Sequence, residues 1–485
     1  MRKIVFIFLM ITSLVVSAQP PTKFFSTYGG NGYDVGYDVR QTLDNGYIIA
    51  GSTSSFGQGN TDFYLLKLDS MGQKKFEKSF GGYNNEIAKS VVQLSDSSYV
   101  MTGYTSSFGI GGYDVFLVKV DKNGNLLWQK TIGGSDWDFA YSLESTNDGG
   151  FIISGTTYSF GNGNADGYVI KTDANGDTTW TKTYGGLKDD EFKSIIQTTD
   201  GNYALTGYTK SYNDSLGDVW ILKINQSGDT LWRKFYGGNK SDIGNCVIQD
   251  SNSNIFVSGG TKSHSTGGNS ETFIATFDQL NGTLGYNYID PSTQEEYYNS
   301  VTQGLNGKIA NCGITKNPVF GYDGIIDMYF SFYVYFNFFS KGSTMFEEFY
   351  SINKTKDKGF VTVGKTTGYN AVLEDVFFMK MDSTGNYGIS IVGIQENEKM
   401  DDFVSIYPNP VNNEFNILIN NNIAFGIKDL HFTIIDIAGK LVMQGDIKNH
   451  KTTIETSDFN SGLYFIQLYD NLKMTNCYKV SIIKP

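Results

Sequence analysis

Acidic residues recur at fixed spacing along the sequence, in two series. Members of the first series stand four residues after a Gly-Gly pair, and they are Asp34, Glu86, Asp138, Asp190 and Asp242, with Glu295 and Glu347 as less regular equivalents. Members of the second series each open a run of β-favouring residues, and they are Asp62, Asp114, Asp166, Asp218, Glu271, Asp327 and Asp375. Carboxylate oxygens are ligands that Ca²⁺ prefers. The series predict either a calcium site or acceptors for amide groups of the glycine loops.

Aromatic residues stand in the loops just before the second series, at Phe56, Phe108, Phe160 and Tyr212. Carboxylates beside aromatic rings suit the recognition of a sugar. The same acids recur in every repeat, however, and a binding site usually breaks the symmetry of a repeat whereas structural contacts keep it. Seven neighbouring carboxylates would also repel one another unless hydrogen bonds satisfied them. The structural interpretation is therefore favoured for most of these acids, and a few of them are candidates for binding.

Catalysis finds little support among the residue types. The sequence has three histidines, His264, His431 and His450, which are too few and too scattered for a catalytic triad or a histidine-rich metal site. Paired carboxylates are plentiful, so residue type alone leaves a glycoside hydrolase open as an alternative. No position stands out as a unique general acid.

A Gly-Gly pair sets the period of the chain. The first glycines fall at positions 29, 81, 133, 185 and 237, which are 52 residues apart each time. A fixed period of this size indicates a repeat architecture. The unit that begins at Gly133 contains a tight turn at 147–150 and a glycine-rich loop at 158–163, which separate four short strands. Four antiparallel strands in about 52 residues are typical of a propeller blade.

The number of units follows from the glycine that ends each second strand: Gly51, Gly103, Gly155, Gly207, Gly259, Gly313 and Gly364. A spare strand at 23–27 precedes the first unit, and the seventh unit ends weakly after Gly385. We therefore predict an all-β fold, a seven-bladed β-propeller over 19–393 that its N-terminal strand closes. The first acid series would then ring the mouth of the central channel, and the second would open onto the same face.

These units resemble the secreted bacterial β-propeller repeat family. The resemblance rests on the turn Asp200-Gly201-Asn202-Tyr203, the Thr-Gly pair after it and a strand of the form Lys-x-Asp, and it covers about 20–390.

The N-terminus has the features of a secretory signal peptide at 1–18. Arg2 and Lys3 precede an apolar run at 4–16, and small residues at 16–18 form a cleavage site. The run is short for a membrane span, so no transmembrane segment is expected after its removal. The net charge of -12 argues against a nucleic-acid partner, because phosphate binding needs clustered Lys and Arg.

The pattern changes after a charged linker at 394–403. Short alternating strands at 404–485 predict a small Ig-like β-sandwich. Its Tyr-Pro-Asn-Pro opening at 407–410, the Asp-x-x-Gly-Lys hairpin at 436–440, the Gly-Leu-Tyr strand at 462–464 and the terminal Lys484 resemble the C-terminal sorting domain of type IX secretion cargo. The resemblance implies contact with the type IX secretion machinery and passage through the periplasm and across the outer membrane. It also implies that this domain is usually removed and that the protein is often attached to surface lipopolysaccharide.

Three functions are consistent with the sequence. The favoured one is a non-catalytic secreted or cell-surface propeller that binds a glycan or a protein partner. The alternatives are a glycan-processing hydrolase that uses two of the rim carboxylates, and a purely structural surface component.

Overall fold

The computed structural model describes residues 23–212, 216–265, 268–290, 292, 294–317, 321–329, 335–341, 346–369, 371–385, 404–407, 411, 413–419, 430–436, 440–447, 449, 451–470, 473–482 and 484. The predicted signal peptide at 1–18 and the linker at 394–403 lie outside these residues. The described elements are β-strands, which confirms the all-β prediction. Within this part of the chain, no helix is long and apolar enough to cross a membrane. The chain divides into two compact units, Met1–Val392 and Gly393–Pro485.

Antiparallel sheets of four strands fill the first unit, and each of the first four sheets is built from consecutive strands. The first two sheets contain β2 (Asp34–Gln41), β3 (Tyr47–Thr53), β4 (Asp62–Leu68) and β5 (Lys74–Phe80), then β6 (Glu86–Gln93), β7 (Tyr99–Thr105), β8 (Asp114–Val120) and β9 (Leu126–Ile132). The next two contain β10 (Asp138–Ser145), β11 (Phe151–Thr157), β12 (Asp166–Thr172) and β13 (Thr178–Tyr184), then β14 (Asp190–Gln197), β15 (Tyr203–Thr209), β16 (Asp218–Ile224) and β17 (Thr230–Tyr236).

Three further sheets of four strands follow in the described residues. They contain β18 (Asp242–Gln249), β19 (Ile255–Thr261), β20 (Glu271–Phe277) and β21 (Leu284–Ile289), then β22 (Glu296–Gln303), β23 (Ile309–Asn317), β24 (Gly321–Tyr329) and β25 (Tyr335–Lys341), and last β26 (Glu347–Lys354), β27 (Phe360–Thr366), β28 (Asp375–Met381) and β1 (Phe24–Tyr28). The outer strand of the last sheet is thus β1, which pairs with β28 in the register Phe24 to Lys380. The N-terminal strand and the last three strands of the unit share one sheet.

The first strands of successive sheets contact one another in a closed series that runs from β2 through β6, β10, β14, β18, β22 and β26 back to β2. Side chains join these inner strands. The Ile195 amide on β14 donates a hydrogen bond to Ser142 Oγ on β10 at 3.3 Å, and Asp38 takes the serine's place on β2, accepting from the Val91 amide at 3.0 Å. Three more serines accept in the same way, Ser194 from Val247, Ser300 from Ile352 and Ser351 from Val39.

The hydrophobic core of the first unit lies between adjacent sheets. One cluster packs Ile48 and Phe63 of the first sheet against Val91, Met101 and Phe116 of the second, and these five side chains are fully buried. Another cluster joins the last sheet to the first through Tyr47, Val363 and Phe378, and Phe24 of β1 belongs to it. Burial of this apolar surface is the main favourable contribution that holds the sheets together. Strand β1 therefore contributes both the outer edge of the last sheet and contacts in the core.

Each inner strand contains a β-bulge, and a glycine of the second strand faces it. On β10 the register shifts between Ala140 and Ser142, so Tyr141 is the extra residue. Gly155 pairs with Ala140, and a Cβ on Gly155 would overlap the carbonyl oxygen of Phe139. The glycine that the sequence repeats at this position is therefore required by close approach of the backbone. A bulge also turns the side chain of its extra residue away from the regular alternation.

The second unit contains two antiparallel sheets. The strands are β29 (Val404–Tyr407), β30 (Glu414–Ile419), β31 (Leu430–Asp436), β32 (Leu441–Ile447), β33 (Lys451–Glu455), β34 (Gly462–Asp470) and β35 (Lys473–Ile482). One sheet has the order β29-β30-β33 and the other β32-β31-β34-β35. A single core cluster includes Phe415 and Ile417 of the first sheet with Ile434, Ile466 and Val480 of the second. The tip of the predicted hairpin at 437–439 lies outside the described residues.

Replacing Gly155 by alanine tests the contact between second strand and bulge. We expect Gly155→Ala to destabilise the protein by about 3 kcal/mol, because the new methyl group overlaps backbone that cannot move without opening the sheet. Thermal and denaturant unfolding of the full chain measure this loss. Gly285→Ala is the matched control, since a Cβ there lies on an outer strand and meets Thr276 Oγ1 at 3.0 Å as its nearest atom. Equal melting temperatures for the two variants would contradict the close contact between Gly155 and the backbone of the bulge.

Candidate functional site

The acids of the first series lie at the start of the inner strands, and their carboxylates accept hydrogen bonds from groups of the fold itself. Asp138 is fully buried and accepts hydrogen bonds from the Gly134 amide at 2.7 Å, from Ser159 Oγ at 2.7 Å and from Thr157 Oγ1. The second glycine of each pair donates in the same way to Asp34 at 2.7 Å, Glu86 at 2.8 Å, Asp190 at 2.8 Å and Asp242 at 3.1 Å. The structure therefore places these five candidate residues inside the sheet junctions, where each carboxylate is an acceptor for its own loop.

The sheet formed by β22 to β25 differs from the sequence prediction by one residue. Glu296, and not Glu295, begins β22, pairs with Thr315 and accepts a hydrogen bond from its Oγ1 at 2.6 Å. Glu347 occupies the same place on β26 and accepts from Thr366 Oγ1 at 2.8 Å. The chain that enters β22 has no Gly-Gly pair, so the sequence offered no landmark for the register there.

The acids of the second series accept hydrogen bonds from the loops that precede them. Asp62 Oδ2 accepts from the Gln58 and Gly59 amides, both at 3.1 Å, and Asp114 and Asp166 repeat this arrangement with the loops at 110–111 and 162–163. Asp218, Glu271 and Asp375 begin the third strands of their sheets in the same register. The six acids in this register are 2 to 9% exposed, so their carboxylates are buried and do not face a ligand at the rim.

The aromatic residues before the second series pack on their own sheets. Their ring centroids lie near an aromatic residue of the third strand, at 5.9 Å for Phe56 and Tyr64, 5.5 Å for Phe108 and Phe116, 5.8 Å for Phe160 and Tyr168, and 6.0 Å for Tyr212 and Trp220. A Cβ on Gly134 would approach Phe160 to 3.0 Å, so the ring also covers the second glycine of the pair. These four aromatic residues repeat one packing contact.

Asp327 was predicted at the start of a third strand, and the structure corrects this position. Asp323 stands opposite Thr315 in the register that the other acids share, whereas Asp327 lies in the middle of β24 opposite Asn311. The difference arises because β23 and β24 continue past the usual strand ends, to Asn317 and from Gly321. Asp327 is 1% exposed and accepts a hydrogen bond from the Tyr298 hydroxyl at 2.5 Å. Burial raises its pKa to about 7.

The first glycine of each pair separates two carboxylates from neighbouring sheets. A Cβ on Gly81 would collide with both Asp62 and Glu86, and one on Gly29 would collide with Asp375 and Asp34. Burial, followed by the repulsion of Asp34, raises the pKa of Asp375 from 3.8 to about 6. Oδ1 of Asp34 and Oδ1 of Asp375 are buried without a hydrogen-bond partner in the described residues. Among those residues, no three acidic, histidine or cysteine side chains converge as a metal site.

The side chains that point into the channel are the bulged residues of the inner strands, which we call the channel ring: Tyr37, Lys89, Tyr141, Lys193, Asn245, Asn299 and Tyr350. They enclose a cavity of about 160 Å³. The Lys89 ammonium lies 3.4 Å from the centre of the Tyr37 ring, and that of Lys193 lies 4.4 Å from the centre of the Tyr141 ring. Such cation–π contacts hold an ammonium group over an aromatic face. The ring differs from blade to blade, unlike the acids.

Arg40 also lines this cavity, three residues further along β2. Its Nη2 donates to Glu144 Oε1 on β10 at 3.0 Å, and its Nε donates to Asp38 Oδ2 at 3.4 Å. The ion pair to Glu144 links the first sheet to the third. A second cavity of about 280 Å³ is lined by Arg40, Glu144, Leu43 and Gln93.

Aromatic rings cluster on the channel-mouth face of the second and third sheets, and we call this cluster the aromatic patch: Tyr104, Tyr113, Trp137, Phe139 and Tyr158. The Phe139 ring centroid lies 4.9 to 6.4 Å from those of the other four rings. Trp137 is 49% exposed and Tyr158 is 43% exposed, and their rings meet edge to face at 6.1 Å. The equivalents of Trp137 in other repeats are Tyr33, Asn85, Asp189 and Ser241, so this patch belongs to one sector of the ring.

The channel ring and the aromatic patch were not predicted from the sequence, because their residue types do not repeat. The signal was present in the positions that vary. The third residue after each acid of the first series reads Tyr, Lys, Tyr, Lys, Asn across five repeats. Only the bulge shows that this residue points into the channel.

Comparison with known proteins identifies the C-terminal segment. Residues 405–484 match the family model described as a secretion system C-terminal sorting domain, of the Por type. Over 36% of its length, the chain is 28% identical to the regulatory protein FlaEY of Caulobacter vibrioides, and it covers 20% of that protein. The chain thus spans about a fifth of the curated relative that it matches.

Solved structures that align with this chain at low similarity include two propeller-containing or secretion-related proteins by their descriptions, PorZ and a WD40 domain. PorZ, an essential surface component of the type IX secretion system of Porphyromonas gingivalis, aligns with a TM-score of 0.38 and 12% identity over 91% of this chain and 64% of its own. The WD40 domain of Pan2 from Neurospora crassa aligns with a TM-score of 0.45 and 9% identity over 74% of this chain and 96% of its own. The chain spans slightly less than two thirds of PorZ.

The four-stranded sheets and their closed series define a propeller-like, all-β protein. The sorting domain adds its route of export, because it directs a protein through the type IX secretion system and implies contact with that machinery. The chain is therefore type IX secretion cargo that reaches the cell surface or the extracellular space.

Replacing Asp375 by asparagine tests the carboxylate pair with Asp34. Because the pKa of Asp375 is raised, the contribution of its protonated form to the stability of the fold is fully present below pH 3.8. This contribution is lost as the pH rises through about 6. Asparagine mimics the protonated form, so Asp375→Asn should stabilise the protein at pH 7.5, on the order of 1–2 kcal/mol after screening by solvent. The gain should disappear at pH 4. Melting temperatures of both proteins across this range measure the effect.

Asp382→Asn, in the turn after β28, is the control. The difference between its melting temperatures at pH 7.5 and pH 4 should equal that of the native chain. The opposite result is expected if these acids form the calcium site that the sequence left open. If the pair held Ca²⁺, a chelator would lower the melting temperature of the native chain and Asp375→Asn would be less stable at pH 7.5.

Proposed function

We propose that this chain is a non-catalytic, seven-bladed propeller that binds a glycan outside the cell, through the aromatic patch beside its channel. The observation that carries the proposal is the exposure of Trp137 and Tyr158 on a rigid aromatic base in one sector of a repeated fold. The patch does not repeat, whereas the acids and loop aromatics do.

Sheet pairing supports the count of seven blades. The described residues form seven sheets of four strands in the first unit, and β1 completes the seventh through its pairing with β28. Contacts between β26 and β2 close the series. In the second unit, two sheets share one core, which supports an Ig-like sandwich for 404–485.

Exposed aromatic rings on a soluble domain mark interaction sites when they form a continuous patch. Trp137 and Tyr158 are exposed, and both rings contact the ring of Phe139. Tyr113 contacts Trp137 and Phe139. Rings that are already fixed lose little conformational entropy when a ligand stacks on them. A sugar offers flat C–H surfaces to such rings and hydroxyl groups to the polar rim. The patch therefore suits a glycan chain lying across the mouth of the channel.

The acids favour binding over hydrolysis. A glycoside hydrolase needs a carboxylic acid and a carboxylate on either side of the scissile bond, both able to reach it. Candidate acids such as Asp138 and Asp62 are buried and accept hydrogen bonds from loop amides. A carboxylate in this position lacks the access to a substrate that the reaction requires.

Replacing Trp137 by alanine tests the proposal. The native chain should bind immobilised soluble polysaccharides, and Trp137→Ala should weaken that binding at least tenfold, or ~1.4 kcal/mol, because the stacking surface is lost. Binding to a panel of plant and microbial polysaccharides, followed by calorimetry with the best oligosaccharide, measures the effect. Tyr83→Ala is the control, since Tyr83 is 82% exposed on a neighbouring loop.

Three results would contradict the proposal. Release of reducing ends from the bound polysaccharide, lost on changing a single acid, would establish the hydrolase. Binding of a protein but of no polysaccharide would make the patch a protein interface. Binding of neither, with Trp137→Ala unchanged in every assay, would favour a structural surface component.

A further inference from the structure

Lys89 is a half-buried cation whose charge no carboxylate of the described residues pairs. Its ammonium lies over the Tyr37 ring at 3.4 Å, and no carboxylate of the described residues lies within 4 Å of it. Burial, followed by the repulsion of Lys193, lowers the pKa of Lys89 to about 7, while Glu348 acts in the opposite direction. A protein seldom retains an unpaired buried cation, because desolvation of the charge is costly.

Lys193 is another member of the channel ring, and it contacts the residue that joins this ring to the aromatic patch. Its ammonium lies over the Tyr141 ring at 4.4 Å and forms an ion pair with Glu191. Burial lowers the pKa of Lys193 to about 8. Tyr141 in turn stacks on Phe139 of the patch, with ring centroids 6.3 Å apart and planes 9° apart. Aromatic contacts therefore connect the exposed patch with Lys193, while Lys89 lies over Tyr37 of the same channel ring.

The size of the cavity limits what can enter it. About 160 Å³ is enough for a few water molecules or a small charged group. It is below the 300–1,000 Å³ range of pockets that enclose a whole ligand. The channel therefore suits a substituent of a larger ligand, while the body of that ligand lies outside on the patch.

We propose that the channel receives the carboxylate of an acidic sugar between the Lys89 and Lys193 ammonium groups, as part of the glycan that the aromatic patch binds. This inference rests on the proposed function and names its ligand class, a polysaccharide that contains uronic acid. The carboxylate supplies the negative charge that Lys89 lacks, and its hydrogen bonds with an ammonium group are charge-assisted. Neutral glycans would use the patch alone.

Galacturonate oligosaccharides and their methyl esters provide matched ligands, because they differ in charge and share the same sugar rings. The native chain should bind the acid form at least tenfold more tightly than the ester in calorimetry. Lys89→Met, which keeps the side-chain stem, should remove this preference and leave the affinity for the ester within twofold. Lys130→Met on outer strand β9 is the control and should keep the preference. Trp137→Ala should weaken the binding of both forms.

A preference that is absent from the native chain, or that survives in Lys89→Met, would overturn the inference while patch binding stands. A second experiment tests the channel without relying on binding to the aromatic patch. Acetylation of Lys89, followed by mass spectrometry, should be slowed by monomeric galacturonate and not by galactose. Protection by galacturonate would support the inference even if Trp137→Ala had no effect. Protection by inorganic sulfate but not by galacturonate would assign the channel to a free anion and overturn it.

Discussion

The hydrogen bond between a glycine amide and the carboxylate that opens each inner strand is the contact on which the ring depends. Burying a carboxylate is costly unless hydrogen-bond donors satisfy it. The Gly134 amide and the hydroxyls of Thr157 and Ser159 supply those donors to Asp138. The preceding glycine, Gly133, has to pass between Asp138 and Asp114 of the adjacent sheet, where a Cβ would collide with both. One Gly-Gly pair thus serves the hydrogen bond and the close approach of two sheets.

Because this constraint is the same at most junctions, it could be predicted from sequence. The 52-residue spacing, the turn residues and the second-strand glycines indicated the strands and their order, since each reflects a backbone requirement that other residues do not meet. The prediction lost its register between β21 and β24, where no Gly-Gly pair is present. Glu296 was missed by one residue and Asp327 was placed four residues from the true position of Asp323, because continued strands displaced the turn.

The channel ring could not be predicted in the same way, because its members share a position and not a residue type. Tyr141 faces the channel as the extra residue of a β-bulge, and a bulge leaves no fixed amino-acid signature in a single sequence. The aromatic patch had a different obstacle. Trp137 comes from the loop before β10 and Tyr113 from the loop before β8, so their contact exists only after the two sheets have packed. Repetition in the sequence indicated the scaffold, and departure from repetition marked the site.

Access to solvent distinguishes the two kinds of buried charge in this protein. Asp375 lies sealed between sheets beside Asp34, and a raised pKa allows it to relieve the repulsion by binding a proton. Lys89 can relieve its burial by losing a proton, but it lines an open cavity, so an anion can reach it as well. A charge that only a proton can reach affects stability alone. A charge that an anion can reach couples stability to binding, since a ligand that binds only the folded state stabilises it.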